Sequence, residues 1–319
     1  MTVRLIATGG TIASLADPET GAVRPAVSAE DLVRTVPDLG DVEVEQVAHV
    51  NGWNVTPETM LDVARRAAGS GGVVVTHGTD TIEETAFFCD LTVEADVVFA
   101  GAMRNGSEIS ADGPRNLLCA SQVAEAAHGL GTVLVLNDEI HAARWARKHD
   151  SSRVSAFTSP GHGPVGIVVP GSVRITMPPP KRLLLPLPEA LPPVPVVQTY
   201  TGMEEGLIEA VLDATDARGL VLEGTGLGNV PGSAEPGIRA ALARGLPVVA
   251  ATRVPTGGTG AVYGGPGGGV TLRELGVLAA GPLPAAKARL LLMLLLASGG
   301  DVRPRFEEAV ETLSGWEAP

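Results

Sequence analysis

Two short apolar runs, each ending in a turn that carries glycine and threonine, constrain the fold of this chain more than any other feature. The run Val3–Ala7 leads into the turn Thr8–Thr11, and the run Val73–Val75 leads into the turn Thr76–Asp80. A short apolar run bounded by a glycine turn is typical of a buried strand in a parallel sheet. Because open α/β sheets bind ligands at the carboxyl ends of their strands, we expect both turns to lie at a binding site.

The first half of the chain alternates predicted strands and predicted helices. Ser28 and Thr56 have the form of helix N-caps, and Pro57 fits the first position of the second helix. Further predicted strands are 97–100 and 133–137, and predicted helices are 57–68, 81–90 and 112–128. This alternation predicts an α/β fold with a doubly wound parallel sheet.

A proline-dense stretch separates this half from a second alternating block. Residues 177–195 are too rich in proline for a regular helix or a central strand, and we interpret them as a stiff linker. The prediction is a larger N-terminal α/β domain of residues 1–176 and a smaller C-terminal α/β domain of residues 196–319. The predicted elements of the second domain are strands 196–200, 220–223 and 247–252 and helices 203–214, 233–244, 284–297 and 302–313.

Composition and charge limit the partners of the protein. A net charge of −13 repels phosphate backbones and anionic membrane surfaces, so we expect neither nucleic acid nor membrane as a partner. The apolar run Leu290–Ala297 is too short to span a bilayer and is predicted to be a buried helix. No signal peptide is recognisable before the first strand, so a cytoplasmic protein is expected, with Cys89 and Cys119 as reduced core thiols.

A single lysine stands out in a chain that otherwise prefers arginine. Lys148 is one of three lysines against twenty arginines and lies in the segment Arg144–Lys148. A lysine amine can lose its proton whereas a guanidinium stays charged, so a retained lysine indicates a role that arginine cannot fill. The alternative is a solvated basic face, which the neighbouring Arg147 fits.

Together, the two threonine turns and Lys148 resemble the bacterial-type L-asparaginase family of threonine amidohydrolases. The resemblance runs from Leu5 to about Leu296 and includes the segments Gly101–Arg104 and Ser110–Pro114. It implies hydrolysis of the side-chain amide of L-asparagine to L-aspartate and ammonia through a threonine acyl-enzyme. It implies no cofactor and no metal, and the histidines lack metal-ligand spacing.

The resemblance also assigns roles to individual residues. A threonine hydroxyl is a weak nucleophile without help from a base, so Thr11 is the implied nucleophile and Thr79, Asp80 and Lys148 act as one base-assisted group. The implied substrate-binding residues are Gly52, Trp53, Thr79, Asp80, Ala102 and Asn229. Asn229 matches a position that reaches a neighbouring subunit's site, which implies a homo-oligomer, a tetramer built from tight dimers with shared sites. The alternative for Thr11 and Asp80 is a turn or cap role.

Other polar groups have structural interpretations. His77 is expected to be a hydrogen-bonded core residue, and Asp112 is expected to cap the helix that follows it. The segment Gly224–Asn229 follows a predicted strand and is a weak match to a phosphate-binding loop. The segment Gly264–Gly269 is expected to be a flexible loop.

The substrate shell departs from the family pattern. The loop after Ser14, which we expect to close over the substrate, lacks the usual tyrosine and has Ala22 near that place. Gly52 and Trp53 stand where well-studied members carry Ser-Gln, and Gly264–Gly269 lacks a match to a glutamate donated by the neighbouring subunit. Arg24 is a candidate substitute contact for a carboxylate.

Three alternatives therefore stay open. The first keeps the chemistry and changes the substrate to glutamine or another side-chain amide. The second is a non-catalytic amino-acid-binding protein on the same scaffold. The third, a dinucleotide-binding oxidoreductase, is disfavoured because Gly9–Thr11 lacks the G-x-G-x-x-G spacing.

Overall fold

The computed structural model describes residues 3–69, 72–126, 128–178 and 180–314. The chain divides into two compact units, Met1–Leu187 (unit 1) and Pro188–Pro319 (unit 2). The division falls inside the proline-dense stretch, and the assignment of residues 177–195 as a linker stays a prediction.

Unit 1 is built on an eight-stranded sheet with helices on both faces. Its strands are β1 (Val3–Gly9), β2 (Ser14–Ala16), β3 (Val23–Pro25), β4 (Val42–Val50), β5 (Val73–Thr76), β6 (Val97–Ala100), β7 (Thr132–Leu136), β8 (Glu139–Ala142), β9 (Arg147–Lys148), β10 (Phe157–Thr158), β11 (Gly166–Val169) and β12 (Ser172–Ile175). Its helices are α1 (Ala29–Arg34), α2 (Pro57–Ala67), α3 (Ile82–Thr92) and α4 (Gly113–Ala126).

The eight-stranded sheet is part parallel and part antiparallel. Its order is β12-β11-β8-β7-β6-β5-β1-β4, and the five strands from β7 to β4 are parallel. Strands β8, β11 and β12 extend it in antiparallel pairing, a feature that the sequence did not predict. The chain reverses between β7 and β8 because Asn137 (φ 51°) and Asp138 (φ 64°) are both left-handed, as a type I′ hairpin turn requires.

The central strands are buried on both faces. Val74, Val98 and Val133 pack in one core cluster with residues of α1 and α4, while α2 and α3 pack on the other side of the sheet. This double cover explains why β5 and β6 are continuous apolar runs. The predicted N-caps are confirmed, since the side chain of Ser28 accepts the Asp31 N–H and that of Thr56 accepts the Thr59 N–H.

Unit 2 is a smaller α/β unit with a four-stranded parallel sheet in the order β13-β14-β15-β16. Its strands are β13 (Val196–Gln198), β14 (Leu220–Gly224), β15 (Val248–Thr252) and β16 (Leu278–Ala279). Its helices are α5 (Leu207–Ala214), α6 (Glu235–Ala243), α7 (Gly269–Leu275), α8 (Ala285–Ala297) and α9 (Val302–Ser314). The predicted fold class, a larger N-terminal α/β domain followed by a smaller C-terminal one, is confirmed.

The apolar helix of unit 2 is a core element. Every residue of α8 from Leu290 to Leu295 is buried, as the sequence predicted. In the part of the chain that the structure describes, every helix is too short or too polar to cross a bilayer.

Candidate active site

Three glycines from three different turns meet backbone to backbone at the carboxyl ends of β1, β4 and β5. A Cβ atom on Gly10 would lie 2.3 Å from the Gly78 Cα, and a Cβ on Gly78 would lie 2.5 Å from the Gly52 Cα. We call Gly10, Gly52 and Gly78 the glycine junction. Because Thr11 and Thr79 each follow a junction residue, this contact brings the two predicted threonines to the same edge of the sheet.

Thr79, Asp80 and Lys148 come together at this edge. The Lys148 Nζ lies 2.9 Å from the Thr79 Oγ1 and 2.7 Å from the Asp80 Oδ1. Thr79 is buried, the Lys148 side chain is 18% exposed and the Asp80 side chain is 45% exposed. An ammonium at this point donates to both oxygens, and a neutral amine accepts the threonine proton while it still donates to the carboxylate. The geometry therefore allows proton transfer between Thr79 and Lys148.

The segment Arg144–Lys148, which we call the strap, delivers the lysine. Its last two residues form β9, and Lys148 pairs with Phe157 of β10. The Lys148 N–H donates to the Glu83 Oε2 at 2.5 Å. An acidic residue in the first turn of a helix is explained by the helix dipole alone, and the sequence analysis missed this contact. Its one local signal is the place of Glu83 in the first turn of the helix that follows Thr79 and Asp80.

Thr11 begins a short 3₁₀ turn, Thr11–Ala13, directly after β1. Ile12 and Ala13 are buried and anchor the turn, whereas Thr11 is half-buried. The cap position of the turn is Gly10, and the Ser14 hydroxyl donates to the Gly10 carbonyl at 2.8 Å. The turn therefore leaves Thr11 at the end of the strand next to the glycine junction.

Asp80 is not the cap of the helix that follows it. The cap residue of α3 is Thr81, and its hydroxyl donates to the Gly52 carbonyl at 2.6 Å. The Asp80 carboxylate instead accepts from Lys148. The alternative reading of Asp80 as a cap is therefore wrong.

The predicted substrate-binding residues lie in different surroundings. Gly52 is buried in the junction, while the Trp53 side chain next to it is 65% exposed. Ala102 is buried, and the turn that follows it is fixed by Asp112, whose carboxylate accepts the backbone N–H groups of Met103 and Arg104 at 3.0 and 2.8 Å. Asp112 was expected to be a helix cap, and these two bonds show that it shapes the turn beside Ala102.

Asn229 lies in unit 2, in the turn after β14. Its Oδ1 accepts the Gly269 N–H at 3.0 Å, so the side chain ties this turn to the start of α7. Its carboxamide keeps the Nδ2 as a donor for a second partner.

His77 has a structural role at the junction. Its Nδ1 lies 2.8 Å from the Gly78 carbonyl, which can only accept, so this nitrogen carries the proton and the Nε2 accepts from the Thr85 hydroxyl at 2.9 Å. Complete burial lowers the pKa of His77 to about 4. The prediction of a hydrogen-bonded core histidine is confirmed.

The loop after Ser14 is a hairpin formed by β2 and β3. Its tip is organised by Asp17, whose pKa is lowered by hydrogen bonds from the Thr20 N–H and hydroxyl. Arg24, the candidate substitute contact, pairs with Asp17 at 3.1 Å. Closure of this hairpin over a substrate stays a prediction.

Neither a metal cluster nor a disulfide is present in the described ranges. No three His, Cys, Asp or Glu side chains among those residues are placed to hold a metal ion. Cys89 and Cys119 are free and buried, and burial raises the pKa of the Cys119 thiol to about 12.

Comparison with known proteins agrees with this arrangement. Residues 2–181 match the family model described as asparaginase, N-terminal, and residues 193–305 match the model described as glutaminase/asparaginase C-terminal domain. The probable L-asparaginase of Deinococcus radiodurans is 39% identical, over 96% of this chain and 97% of that protein. L-asparaginase 2 of Bacillus subtilis is 37% identical, over 94% of this chain and 83% of that protein.

A solved structure shows the same architecture. The structure described as a probable cytoplasmic L-asparaginase from Campylobacter jejuni superposes with a TM-score of 0.88 at 33% identity, covering 97% of this chain and 98% of that one. With both units matched by family models and relatives aligned over nearly its whole length, the chain belongs to the asparaginase family.

Proposed function

We propose that this protein hydrolyses the side-chain amide of L-asparagine to L-aspartate and ammonia through a threonine acyl-enzyme. The observation that carries the proposal is the placement of the Lys148 Nζ, 2.9 Å from the Thr79 Oγ1 and 2.7 Å from the Asp80 Oδ1. A hydroxyl, an amine and a carboxylate in series form a proton-transfer group at the end of a parallel strand, where a substrate of an α/β enzyme binds.

In the first half of the reaction Thr11 is the nucleophile. Its oxygen adds to the amide carbon and its proton leaves toward the Thr79–Lys148 pair. The tetrahedral intermediate then expels the amide nitrogen, which takes up a proton and departs as ammonia. Contact between Gly10 and Gly78 supports this assignment, because it holds the turns that carry the two threonines together.

In the second half a water molecule hydrolyses the ester. The attacking water gives a proton to the Thr79 Oγ1 while Thr79 passes its own proton to the neutral amine of Lys148. The pair then returns that proton to the Thr11 oxygen as the ester bond breaks. The half-exposed Asp80 carboxylate serves two purposes in the proposal. It orients Lys148 and offers an anionic partner for the substrate α-ammonium group.

The binding shell is proposed to consist of Gly52, Trp53, Thr79, Asp80 and Ala102 from one subunit, with Asn229 supplied by a neighbouring subunit. Glutamine is a second candidate substrate, because the matched C-terminal model is described for glutaminase as well as asparaginase. The exposed Trp53 beside the junction adds a broad apolar surface where well-studied members of the family carry a polar side chain. This change in the binding shell is the reason to compare asparagine and glutamine directly.

Ammonia release from L-asparagine, L-glutamine and their D-forms tests the proposal. We expect the highest kcat/KM for L-asparagine. Release from glutamine at a higher kcat/KM assigns the second substrate. Binding of aspartate or asparagine with no ammonia from any amide overturns the enzymatic proposal in favour of a non-catalytic amino-acid-binding protein.

We further propose a cytoplasmic homo-oligomer, a homotetramer built from tight dimers in which Asn229 reaches a neighbouring subunit's site. Support comes from the related structure described as cytoplasmic and from the Asn229 side chain, which keeps a donor for a second partner. Light scattering and an ammonia assay on the same dilute fraction provide the test. A fully active monomer contradicts the shared site, and cell fractionation tests the compartment.

A further inference from the structure

Glu83 makes two separate contacts with the strap. Its Oε2 accepts the Lys148 N–H at 2.5 Å, and its Oε1 lies 3.7 Å from the Arg147 Nε. The side chain is only 15% exposed, so water competes weakly for either oxygen. The carboxylate therefore fixes the backbone of Lys148 to the first turn of α3.

The strap is fixed to the same helix at a second point. Asp90 lies seven residues after Glu83, or about two helical turns, and so faces the same side of α3. The Arg144 Nη2 lies 3.3 Å from the Asp90 Oδ2, and both side chains are buried. Between the two ends, the Trp145 ring stacks on His162 with centroids 4.0 Å apart and planes 4° apart. The strap thus lies along α3 with one acidic contact at each end.

The two ends of the strap differ in what they control. Asp90 holds the Arg144 end, away from the reacting groups, whereas Glu83 holds the backbone nitrogen of the residue whose amine contacts Thr79. The helix that carries Glu83 also begins directly after Thr79 and Asp80. Glu83 therefore sets the distance between the Lys148 backbone and the two oxygens that its amine must reach.

We propose that Glu83 is a positioning residue for the amide hydrolysis, acting through the Lys148 backbone and without contact to the substrate. The proposal rests on the proposed function for its kinetic readout. This role requires that the side chain of residue 83 is long enough to place an oxygen acceptor at the Lys148 N–H, and it does not require a negative charge. A shift of about 1 Å at a catalytic group lowers a rate by as much as about 10²-fold, so a small retreat of the strap has a measurable effect.

Two conservative substitutions separate reach from charge. Glu83→Asp keeps the charge that faces Arg147 and shortens the side chain by one methylene, so it withdraws the acceptor from the Lys148 N–H. Glu83→Gln loses the charge and keeps a carbonyl oxygen at the same reach. We expect Glu83→Asp to lower kcat by about 10- to 100-fold with little change in KM, and Glu83→Gln to stay within about threefold of wild type.

Glu58→Asp is the matched control. Glu58 is an exposed glutamate in the first turn of α2, and its carboxyl interacts with Thr56. Glu58→Asp therefore removes one methylene from a first-turn glutamate, as Glu83→Asp does, but in a different helix. We expect wild-type kcat from this variant. A kcat for Glu83→Asp within about threefold of wild type overturns the proposal, as does an equal loss in Glu83→Asp and Glu83→Gln.

Introducing Glu83→Asp into the Lys148→Ala variant separates a positioning role of Glu83 from a role in folding. If Glu83 acts only through Lys148, Glu83→Asp adds less than about threefold to the loss already caused by Lys148→Ala. A further tenfold loss in that background shows that Glu83 supports the site by another route and overturns the proposal.

Chemical labelling gives a readout that does not need activity. The chain has only three lysines, and the exposed Lys181 serves as an internal reference for acetylation of Lys148 by acetic anhydride, followed by peptide mass spectrometry. Glu83→Asp should raise the Lys148 rate severalfold because the amine leaves Thr79 and Asp80, whereas Glu83→Gln should not. If the wild-type protein releases no ammonia, the proposed function fails, and the labelling result alone decides whether Glu83 positions Lys148.

Discussion

Each unit has a threonine in a glycine turn at the end of a parallel strand, and the two hydroxyls have different partners. In unit 1 the Thr79 Oγ1 accepts from the amine of Lys148 at 2.9 Å. In unit 2 the Thr225 Oγ1 donates to the Asn229 carbonyl at 3.2 Å, within its own turn. That turn is also closed by backbone bonds in both directions between Thr225 and Asn229. The first hydroxyl is available to chemistry and the second is used to hold a turn.

The difference comes from outside the turns. Unit 1 brings in the strap, which places a lysine against Thr79 from a segment 69 residues away. It also packs three glycine turns so tightly that Cβ atoms at Gly10 and Gly78 would overlap neighbouring backbone. The unit 2 turn also has partners from other segments, since the Thr252 hydroxyl donates to the Gly226 carbonyl and the Gly269 N–H donates to the Asn229 Oδ1. The difference is that the strap brings an ionisable amine to the Thr79 hydroxyl, whereas the Thr225 hydroxyl bonds a backbone carbonyl of its own turn.

The largest expected effect is at Thr11. Thr11→Ala should lower ammonia release by at least about 10³-fold, because the acyl-enzyme cannot form without its oxygen. The fold should persist, since the residue is half-buried and its turn is anchored by Ile12 and Ala13. Thr92→Ala, which removes a hydroxyl that donates to the Phe88 carbonyl in the preceding turn of α3, is the control and should keep wild-type kcat. A Thr11→Ala rate within about tenfold of wild type makes Thr11 a turn residue like Thr225.

The second largest effect is expected at Lys148, the amine that contacts the Thr79 hydroxyl in unit 1. Thr79→Ala and Lys148→Ala should each lower kcat strongly, and the double variant should lose much less than the product of the two factors, because the pair works as one unit. Steady-state kinetics of the four proteins in this cycle measure the coupling. Fully multiplicative losses contradict a shared proton-transfer group and leave Lys148 as a separate contact.

Central strands were predictable from the sequence, and edge strands were not. The prediction for β6, residues 97–100, agrees with the structure to the residue, and β5 begins at the predicted Val73. Both are apolar on both faces, so the pattern needs no partner to be recognised. In the edge strand β4 valine and glutamate alternate, and β12 is largely exposed. Neither strand has a continuous apolar run, so its sequence indicates a strand only once the neighbouring sheet is known.

The part of the site that lies within one strand and its following turn was predictable from the sequence. Thr79 and Asp80 follow directly from a strand and a glycine, and Lys148 stands out by composition. The contact of Glu83 with Lys148 spans 65 residues of sequence, and the packing of Gly52 on Gly78 joins two turns that follow different strands. Such contacts are set by tertiary packing, which no local pattern records.

Glycine substitutions compare the packed junction with an open glycine of a loop. In Gly78→Ala the new Cβ would stand 2.5 Å from the Gly52 Cα and 2.6 Å from its nitrogen, so backbone must move. We expect a loss of about 3 kcal/mol in the free energy of unfolding, with a parallel loss of kcat. Gly264→Ala in unit 2 is the control, because a Cβ there meets nothing within 4 Å. Equal stability of the two variants in urea contradicts a close-packed junction.

His77 gives the junction a pH dependence. Burial lowers its pKa from 6.5 to about 4, so the unfolded chain binds the proton more readily than the folded one. This contribution is therefore complete above pH 6.5 and decreases as the pH falls toward 4. It amounts to about 3 kcal/mol in all, of which about 2 kcal/mol is lost by pH 5.

Urea unfolding at pH 7.5 and pH 5 measures this contribution. His77→Gln should lose about 2 kcal/mol less than wild type between the two pH values, because the variant lacks the titrating ring. The exposed His128 provides the control variant His128→Gln, which should follow the wild-type pH dependence. An unchanged pH dependence in His77→Gln shows that other groups are responsible.

The smallest effect belongs to the threonine of unit 2. Thr225→Ala removes one hydrogen bond from a turn that two backbone bonds already close, so we expect a loss of about 1 kcal/mol in the free energy of unfolding. Its kcat should stay within about threefold of wild type, because the hydroxyl contributes only to its own turn. Kinetics and urea unfolding of Thr225→Ala beside Thr79→Ala compare the same chemical change at two strand ends. A large loss of kcat with little loss of stability in Thr225→Ala would mean that the unit 2 hydroxyl also serves the reaction, and the distinction between the two turns would not hold.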